Sequence, residues 1–439
     1  MGPARTAPPV RDLAVDFLRV SGVVLIVLGH WLAGCVTYRD GHFGSQNPLV
    51  DLPWTQWLTW PLQAVPVFFL VAGYASAVSW THRRLADGMT RRDWLRHRLA
   101  RVLGPTAVYV GLVSVVVVVC QLCGVTRSAL DYAGWAVAMQ LWFLAVYLLV
   151  VSMTPIAIAA QRRWALSVPA VLMAAVAVVD AVSLGGRVPY LGWLNYLLCW
   201  GTLHQLGIAW QGGLLTGRRP VVLAAGSAVA LALLIWPGPY PISMIDVPGQ
   251  AVQNSSPPSA AMLAFACAQS GLAIAAAPAL NRVLRRGRVQ RVLQTGNTNV
   301  MALYLWHMVP VVIVAVVGYP TGLLPQPVEG TPAWWLARLE WVAVLSLVTT
   351  VEMALLWRGR GFFAAPLPTL AVPLSHRWAE PVTLAGAAMV AYALGFFAVA
   401  GFAPGGHFPW VVALVFAAGV VLVALRPAQR HSNARPTSH

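Results

Sequence analysis

The chain has 439 residues, of which 59% are hydrophobic and 10% charged, where an average soluble domain carries roughly 25% charged residues. A mean hydropathy of +0.70 over that length excludes a disordered chain, a small disulfide scaffold and a peripheral protein with one anchor. What remains is an all-α, polytopic transmembrane helical bundle. The formal net charge of +16 comes from 29 basic and 13 acidic residues, and every basic residue apart from His is Arg. Taken alone, that excess fits nucleic acid or an anionic membrane surface.

In chain order the apolar runs centre on residues 14–35, 62–81, 104–124, 135–159, 165–184, 191–214, 220–236, 259–280, 298–318, 334–357, 382–403 and 410–426. Each is close to the roughly 20 residues a helix needs to cross the hydrocarbon core, so about twelve spans are expected. The first run holds Asp16, Arg19 and His30 and no small-residue cleavage site, which argues against a signal peptide. With the N-terminus in the cytoplasm, the inner segments hold 24 Arg, counting Arg426 with the C-terminal tail, against Arg39, Arg127 and Arg187 outside. That asymmetry predicts cytoplasmic N- and C-termini. Most of the positive charge is then topological, and no nucleic-acid partner is expected. The Trp residues cluster near span ends, as interfacial anchors do. Cys120, Cys123 and the other three Cys read as small hydrophobes rather than a redox pair or metal site.

Charged groups in hydrocarbon are costly, so an intramembrane ion reads first as functional, with structural pairing as the alternative. Asp16 and Arg19 are three residues apart and can share one helix face. Arg19 and His30 are eleven apart, which leaves them about 20° from alignment with a rise of roughly 16 Å. Asp16, Arg19 and His30 therefore form one stripe. Ser21 falls about 180° and Cys35 about 140° from His30, so no covalent nucleophile joins it. A His acting as general base on an incoming hydroxyl suits the stripe better than an acyl-enzyme.

The loop THRRLADGMTRRDWLRHRLARVLGP carries seven Arg and two His against two Asp, and includes Arg98-x-x-Arg101 at the mouth of the third span. Arginine grips phosphate bidentately. A topogenic, lipid-headgroup role is the other reading of these arginines.

These pieces resemble the membrane-integral acyltransferase family 3. LAVDFLRVSGVVLIVLGHW is similar to its first-helix pattern of Arg, ten residues, then His. VPVFFLVAGYASA resembles the second-helix signature, RHRLARVLGP the Arg-x-x-Arg followed by Pro, and LWFLAVYLL, with Trp142, the Trp-Phe-Leu region. TGNTNVMALYLWHMVPVV resembles the closing segment, with Tyr304, Trp306 and His307. The resemblance covers roughly residues 14–357, a ten-helix core to which two C-terminal helices are added. It implies a cytoplasmic N-terminal tail (1–13), a membrane acyltransferase domain (14–357), a cytoplasmic loop with two additional helices (358–426) and a cytoplasmic tail (427–439). The Trp-x-x-x-x-Glu element of some sugar acetylases is absent, since Tyr147 stands five residues after Trp142 with Val146 before it.

The resemblance also implies O-acylation. An acyl group, acetyl by default, passes from cytoplasmic acyl-CoA to a hydroxyl of a glycan, glycolipid or glycosylated natural product. His30 would be the base, Arg19 with Arg98 and Arg101 would engage the donor, and Asp16 would orient Arg19. His307, with Tyr304 and Trp306, lines the cavity or packs helices, and His204 and Trp142 are further candidates for lining. Acyl-CoA, acetyl-CoA first, is then a donor substrate, with no tightly bound cofactor and no metal. Membrane lipids are partners, the oligomeric state stays open, and a multi-pass protein of a bacterial plasma membrane is expected. The rival readings are a transporter, kept open by Asp180, Glu340 and Glu352, whose other reading is as caps of helix ends near the interface, and a lipid-binding assembly protein.

Overall fold

The computed structural model describes residues 12–186 and 188–427. Most of both expected tails, and Arg187, lie outside the described residues. Among those described, the helices of ten or more residues are, in chain order, α1 (Leu13–Ala33), α2 (Val65–Ala86), α3 (Arg91–Leu122), α4 (Arg127–Ala136), α5 (Leu141–Ser152), α6 (Thr154–Trp164), α7 (Ser167–Leu184), α8 (Asn195–Gln211), α9 (Arg219–Ile235), α10 (Ala260–Leu284), α11 (Gly287–Trp306), α12 (Val309–Gly318), α13 (Pro332–Arg358), α14 (His376–Ala400) and α15 (Trp410–Ala424). The protein is a mostly helical membrane protein.

Seven helices among the described residues are long and apolar enough to cross a bilayer, and nine segments qualify if two bent pairs each count as one. The pairs are α4 with α5, bent by 41°, and α11 with α12, bent by 53°. The expected count of about twelve treats every apolar run as one continuous span, and several are not. The run at 135–159 is divided between α4, α5 and α6, and α6 begins at Thr154-Pro155, where proline cannot continue the preceding helix. The runs at 220–236 and 410–426 form the shorter apolar helices α9 and α15.

The chain divides into two compact units. The first runs to Ser79 and resumes over Met153–Trp357, and the second comprises Trp80–Ser152 and the chain from Arg358 on. In the first, α1 packs against α10 and α11, α9 against α10, and α7 against α8. The α2–α8 crossing depends on two glycines. A Cβ on Gly73 would run into the carbonyl oxygen of His204, and one on Gly207 into that of Leu70, so only hydrogen at both positions lets the backbones approach. Asp180 is buried in α7 and accepts from the Tyr240 hydroxyl (2.6 Å) and the Ala260 amide (2.7 Å). That carboxylate therefore caps the start of α10, where unpaired N–H groups favour an anion.

The segment after His30 is a hairpin, β1 (Cys35–Arg39) with β2 (His42–Gln46), and an exception to the all-helical expectation. Asp40 and Gly41 take positive φ at its two-residue turn, as a twisted hairpin requires. Gln326 clasps its edge, accepting from the Tyr38 amide (2.7 Å) and donating to the Tyr38 carbonyl (2.9 Å).

In the second unit α14 packs against α5 and α15. A strand pair, Leu370–Val372 with Leu425–Pro427, is a second non-helical element. The segment before it lies on α3: the Leu367 amide donates to the Ala100 carbonyl (2.8 Å), and Gly104 leaves no room for a side chain beside Ala365. Cys35, Cys199 and Cys267 are buried, as expected, but Cys123 at the end of α3 is exposed.

Candidate functional site

Helix α1 is anchored at its N-terminus by Asp12, which the sequence reading passes over although Asp before an apolar run signals an N-cap. Its Oδ1 accepts from the amides of Ala14 (3.0 Å) and Val15 (3.3 Å) and from Nδ2 of Asn281 (2.9 Å). One turn on, the side chain of Asn297 bridges the Asp16–Arg19 pair. Its Nδ2 donates to Asp16 Oδ1 (3.1 Å), and its Oδ1 accepts from Arg19 Nη1 (3.0 Å). The two bonds agree on how the amide is oriented, because nitrogen meets the carboxylate and oxygen the guanidinium. Asp16 is buried and Arg19 half-buried. Ser21, opposite the stripe, donates its hydroxyl to the Phe17 carbonyl (2.8 Å).

At the other end of α1, Nδ1 of His30 lies 2.8 Å from Nε2 of His307. The rings are within 8° of parallel. His307 is fully buried and His30 half-buried. His307 stands where the chain passes from α11 to α12. Pro310 follows in the first turn of α12, and its missing N–H and ring interrupt the helical ladder there. Nδ1 of His307 lies 2.8 Å from the Tyr304 carbonyl oxygen, and the indole of Trp31 donates to the His307 carbonyl (3.0 Å).

These partners assign the protons. A carbonyl only accepts, so Nδ1 of His307 carries a hydrogen and, in a neutral ring, Nε2 is its acceptor. Nδ1 of His30 must then donate to that acceptor, which leaves the lone pair of neutral His30 on Nε2. His307 thus holds neutral His30 in the tautomer with its lone pair on Nε2.

A residue outside the predicted site completes this end. Arg338 of α13 donates through Nη2 to the carbonyls of Trp31 (2.6 Å), Leu32 (3.1 Å) and Gly34 (3.3 Å), the free acceptors at the end of α1. Its guanidinium carbon lies 5.8 Å from the Trp334 ring centre and 5.9 Å from that of Trp341, a desolvated setting that favours a cation over indole. An arginine inside an apolar run is the signal that could have found it.

Of the predicted site residues, the first unit brings His30, His307 and Tyr304 together at one end of α1 and Asp16 and Arg19 at the other. Trp306 is half-buried at the end of α11. His204 is buried at the α2–α8 crossing, its Nε2 3.3 Å from Thr154 Oγ1. Arg98, half-buried, and Arg101, exposed, lie on α3 in the second unit, as does Trp142, half-buried on α5 with its ring against Phe143. That unit also carries an open cleft of about 580 Å³ lined by Thr90, Arg91, Arg92, His376, Arg377 and Glu380. Arg91 pairs with Glu380 (2.8 Å), and Arg92 Nη1 donates to Nδ1 of His376 (2.9 Å). No group of three or more His, Cys, Asp or Glu gathers to hold a metal ion among the described residues.

The acyltransferase-3 model, described as an acyltransferase domain, matches residues 12–357. The chain belongs to that family. No curated protein and no solved structure matches the chain. The matched segment of this membrane acyltransferase runs from Asp12 to the last residues of α13, and so contains the His30–His307 pair, Asn297 and Arg338. The helices α14 and α15 follow it.

Proposed function

We propose that this acyltransferase moves an acyl group, acetyl by default, from cytoplasmic acyl-CoA to a hydroxyl of a sugar-containing acceptor, with His30 as general base. The observation that carries the reading is the His30–His307 hydrogen bond, because it leaves Nε2 of His30 as the free base. In the step proposed, Nε2 takes the proton of the acceptor hydroxyl as its oxygen attacks the thioester carbonyl. The new C–O bond forms, the C–S bond breaks, and its electron pair leaves on sulfur. The CoA thiolate then recovers the proton from His30, giving an ester and free CoA. While His30 is an imidazolium, its Nδ1–H remains bonded to the lone pair of His307.

The donor is held from the cytoplasmic side in this reading. Arg98 and Arg101 engage the CoA phosphates, and Arg19, which Asp16 orients through Asn297, engages the donor's carbonyl region. The basic cleft at Arg91, Arg92 and Arg377 adds to the positive field of that face. The arginine asymmetry supports a plasma-membrane protein with both termini inside, and the all-arginine composition supports a bacterial source.

Membranes containing the protein, given radiolabelled acetyl-CoA, should release CoA and place label in a product. His30→Ala, folded and abundant, should do neither. Transfer by that variant at the parent rate would refute the base assignment. Uptake of a labelled solute without product would restore the transporter.

A further inference from the structure

Buried polar atoms in folded proteins nearly always have hydrogen-bond partners, so a group of them without partners in the protein calls for an explanation. One such group surrounds Arg338. Its Nε, the indole Nε1 of Trp341 and Oε1 of Glu329 are each buried with no partner among the described residues. Arg338 is 7% exposed and Trp341 3% exposed. They lie three residues apart on α13, with guanidinium against indole. Glu329, in the loop before α13, lies close enough to feel both the Arg338 charge and the Asp51 carboxyl.

This group has a definite place relative to the chemistry. The same Arg338 that leaves Nε unpartnered donates through Nη2 to the Trp31 carbonyl, on the residue next to His30. Trp31 in turn holds the His307 carbonyl. Two unmet donors on α13 and one unmet acceptor in the loop before it thus lie about the arginine that caps the end of α1. Their chemistry is that of a ligand rich in neutral oxygen, with both accepting oxygens and a donating hydroxyl. An anion would meet the Glu329–Asp51 carboxyl pair, and a cation the Arg338 guanidinium. Trp54, 55% exposed and 5.6 Å from the Trp335 ring, adds an indole face of the kind that packs against the C–H face of a sugar.

We propose that Arg338 Nε, Trp341 Nε1 and Glu329 Oε1 form the acceptor subsite, which binds an uncharged, polyhydroxylated sugar ring at the α1 C-terminal end, the side the arginine distribution marks as outer. This deepens the acyl-transfer reading and rests on it for the identity of the bound molecule as acceptor. The donor and the acceptor then approach His30 from opposite sides of the membrane.

The test pairs binding with turnover. Full-length protein in lipid nanodiscs is titrated with neutral methyl glycosides of glucose, galactose and rhamnose by calorimetry, and acetyl transfer is followed with the same sugars. Trp341→Phe removes only the indole donor and Glu329→Ala only the loop acceptor, while both leave the Arg338 cap on α1 in place. Each should weaken glycoside binding and raise its KM by about tenfold, the effect of about 1.4 kcal/mol, with the KM for acetyl-CoA unchanged. Glu329→Gln, which keeps an acceptor oxygen, should bind like the parent. Parent protein that binds none of the glycosides, or both variants binding as the parent does, would overturn the subsite. Binding that is sensitive to both substitutions without any transfer from acetyl-CoA would uphold it as a sugar site and refute the acyl-transfer reading instead.

Discussion

Nδ1 of His30 and Nε2 of His307 face each other at 2.8 Å with nearly parallel rings, and the second ring is anchored through its other nitrogen to the Tyr304 carbonyl. This relay lets backbone geometry choose the tautomer of a side chain it does not touch. If His30 is the base proposed above, His307 positions it rather than meeting substrate, and that role has distinct consequences.

His307→Ala should lower kcat by roughly 10²- to 10⁴-fold, the usual worth of a positioned acid or base, because His30 is then free to hold its hydrogen on Nε2. The KM for acetyl-CoA should stay within about twofold, since uniform binding is not involved. His307→Gln, whose amide oxygen can accept from His30, should recover part of the rate. Steady-state kinetics on detergent-purified protein with matched folded fractions would check this, and equal rates for the Ala and Gln variants would remove the relay.

The Asn297 bridge predicts a loss of stability. Asn297→Leu leaves the Asp16 carboxylate and the Arg19 guanidinium each short of a bond in a desolvated place, at a cost of about 1–3 kcal/mol. Asn297→Asp should be worse, because it puts a second carboxylate beside Asp16. A lowered thermal midpoint in that order is the expected result in a tryptophan-fluorescence melt.

The α2–α8 crossing should tolerate no added atom. Gly73→Ala and Gly207→Ala each force a methyl into a carbonyl of the facing helix, and overpacking of this kind costs about 1–3 kcal/mol or more. Gly111→Ala, at a position with nothing near, is the matched control and should be silent. Yields of monodisperse protein on size exclusion would distinguish them.

Glu329 makes the loop before α13 sensitive to pH. Burial first, and then the charge and hydrogen bond of Asp51, raise its carboxyl above the ordinary 4.5. A raised folded-state value means that the fold prefers the protonated form. Its contribution is therefore fully present below 4.5 and is lost as pH rises through the higher folded value. Unfolding midpoints should fall on going from acid to neutral pH, and Glu329→Gln should flatten that slope. An unchanged slope in the variant would place the sensitivity elsewhere.

The arginine distribution makes a claim about sidedness. If both termini are cytoplasmic, a single cysteine introduced at Gln326 should react with a membrane-impermeant maleimide in intact cells, and one at Arg218 only after lysis. The natural Cys123, which is exposed, would be replaced first in both. The reverse pattern would invert the proposed approach of donor and acceptor.

By itself the sequence determined the membrane class, the stripe of Asp16, Arg19 and His30, and the family. Ions are too costly in hydrocarbon to be frequent there, and a helix of known pitch puts residues eleven apart on one face. Only the tertiary structure decided what those side chains contact. The partner of His30 is 277 residues away along the chain, that of Asp16 is 281 away, and the arginine that caps α1 is 307 residues from Trp31. No local period reaches so far. The apolar runs divide at breaks that a hydropathy average passes over, because proline interrupts a helix inside an apolar stretch, and tertiary packing set Asp180 as a helix cap. The candidate site residues were legible because ions are rare in the membrane. Their protonation and orientation were not, because both are set by carbonyls and amides that look alike everywhere in a sequence.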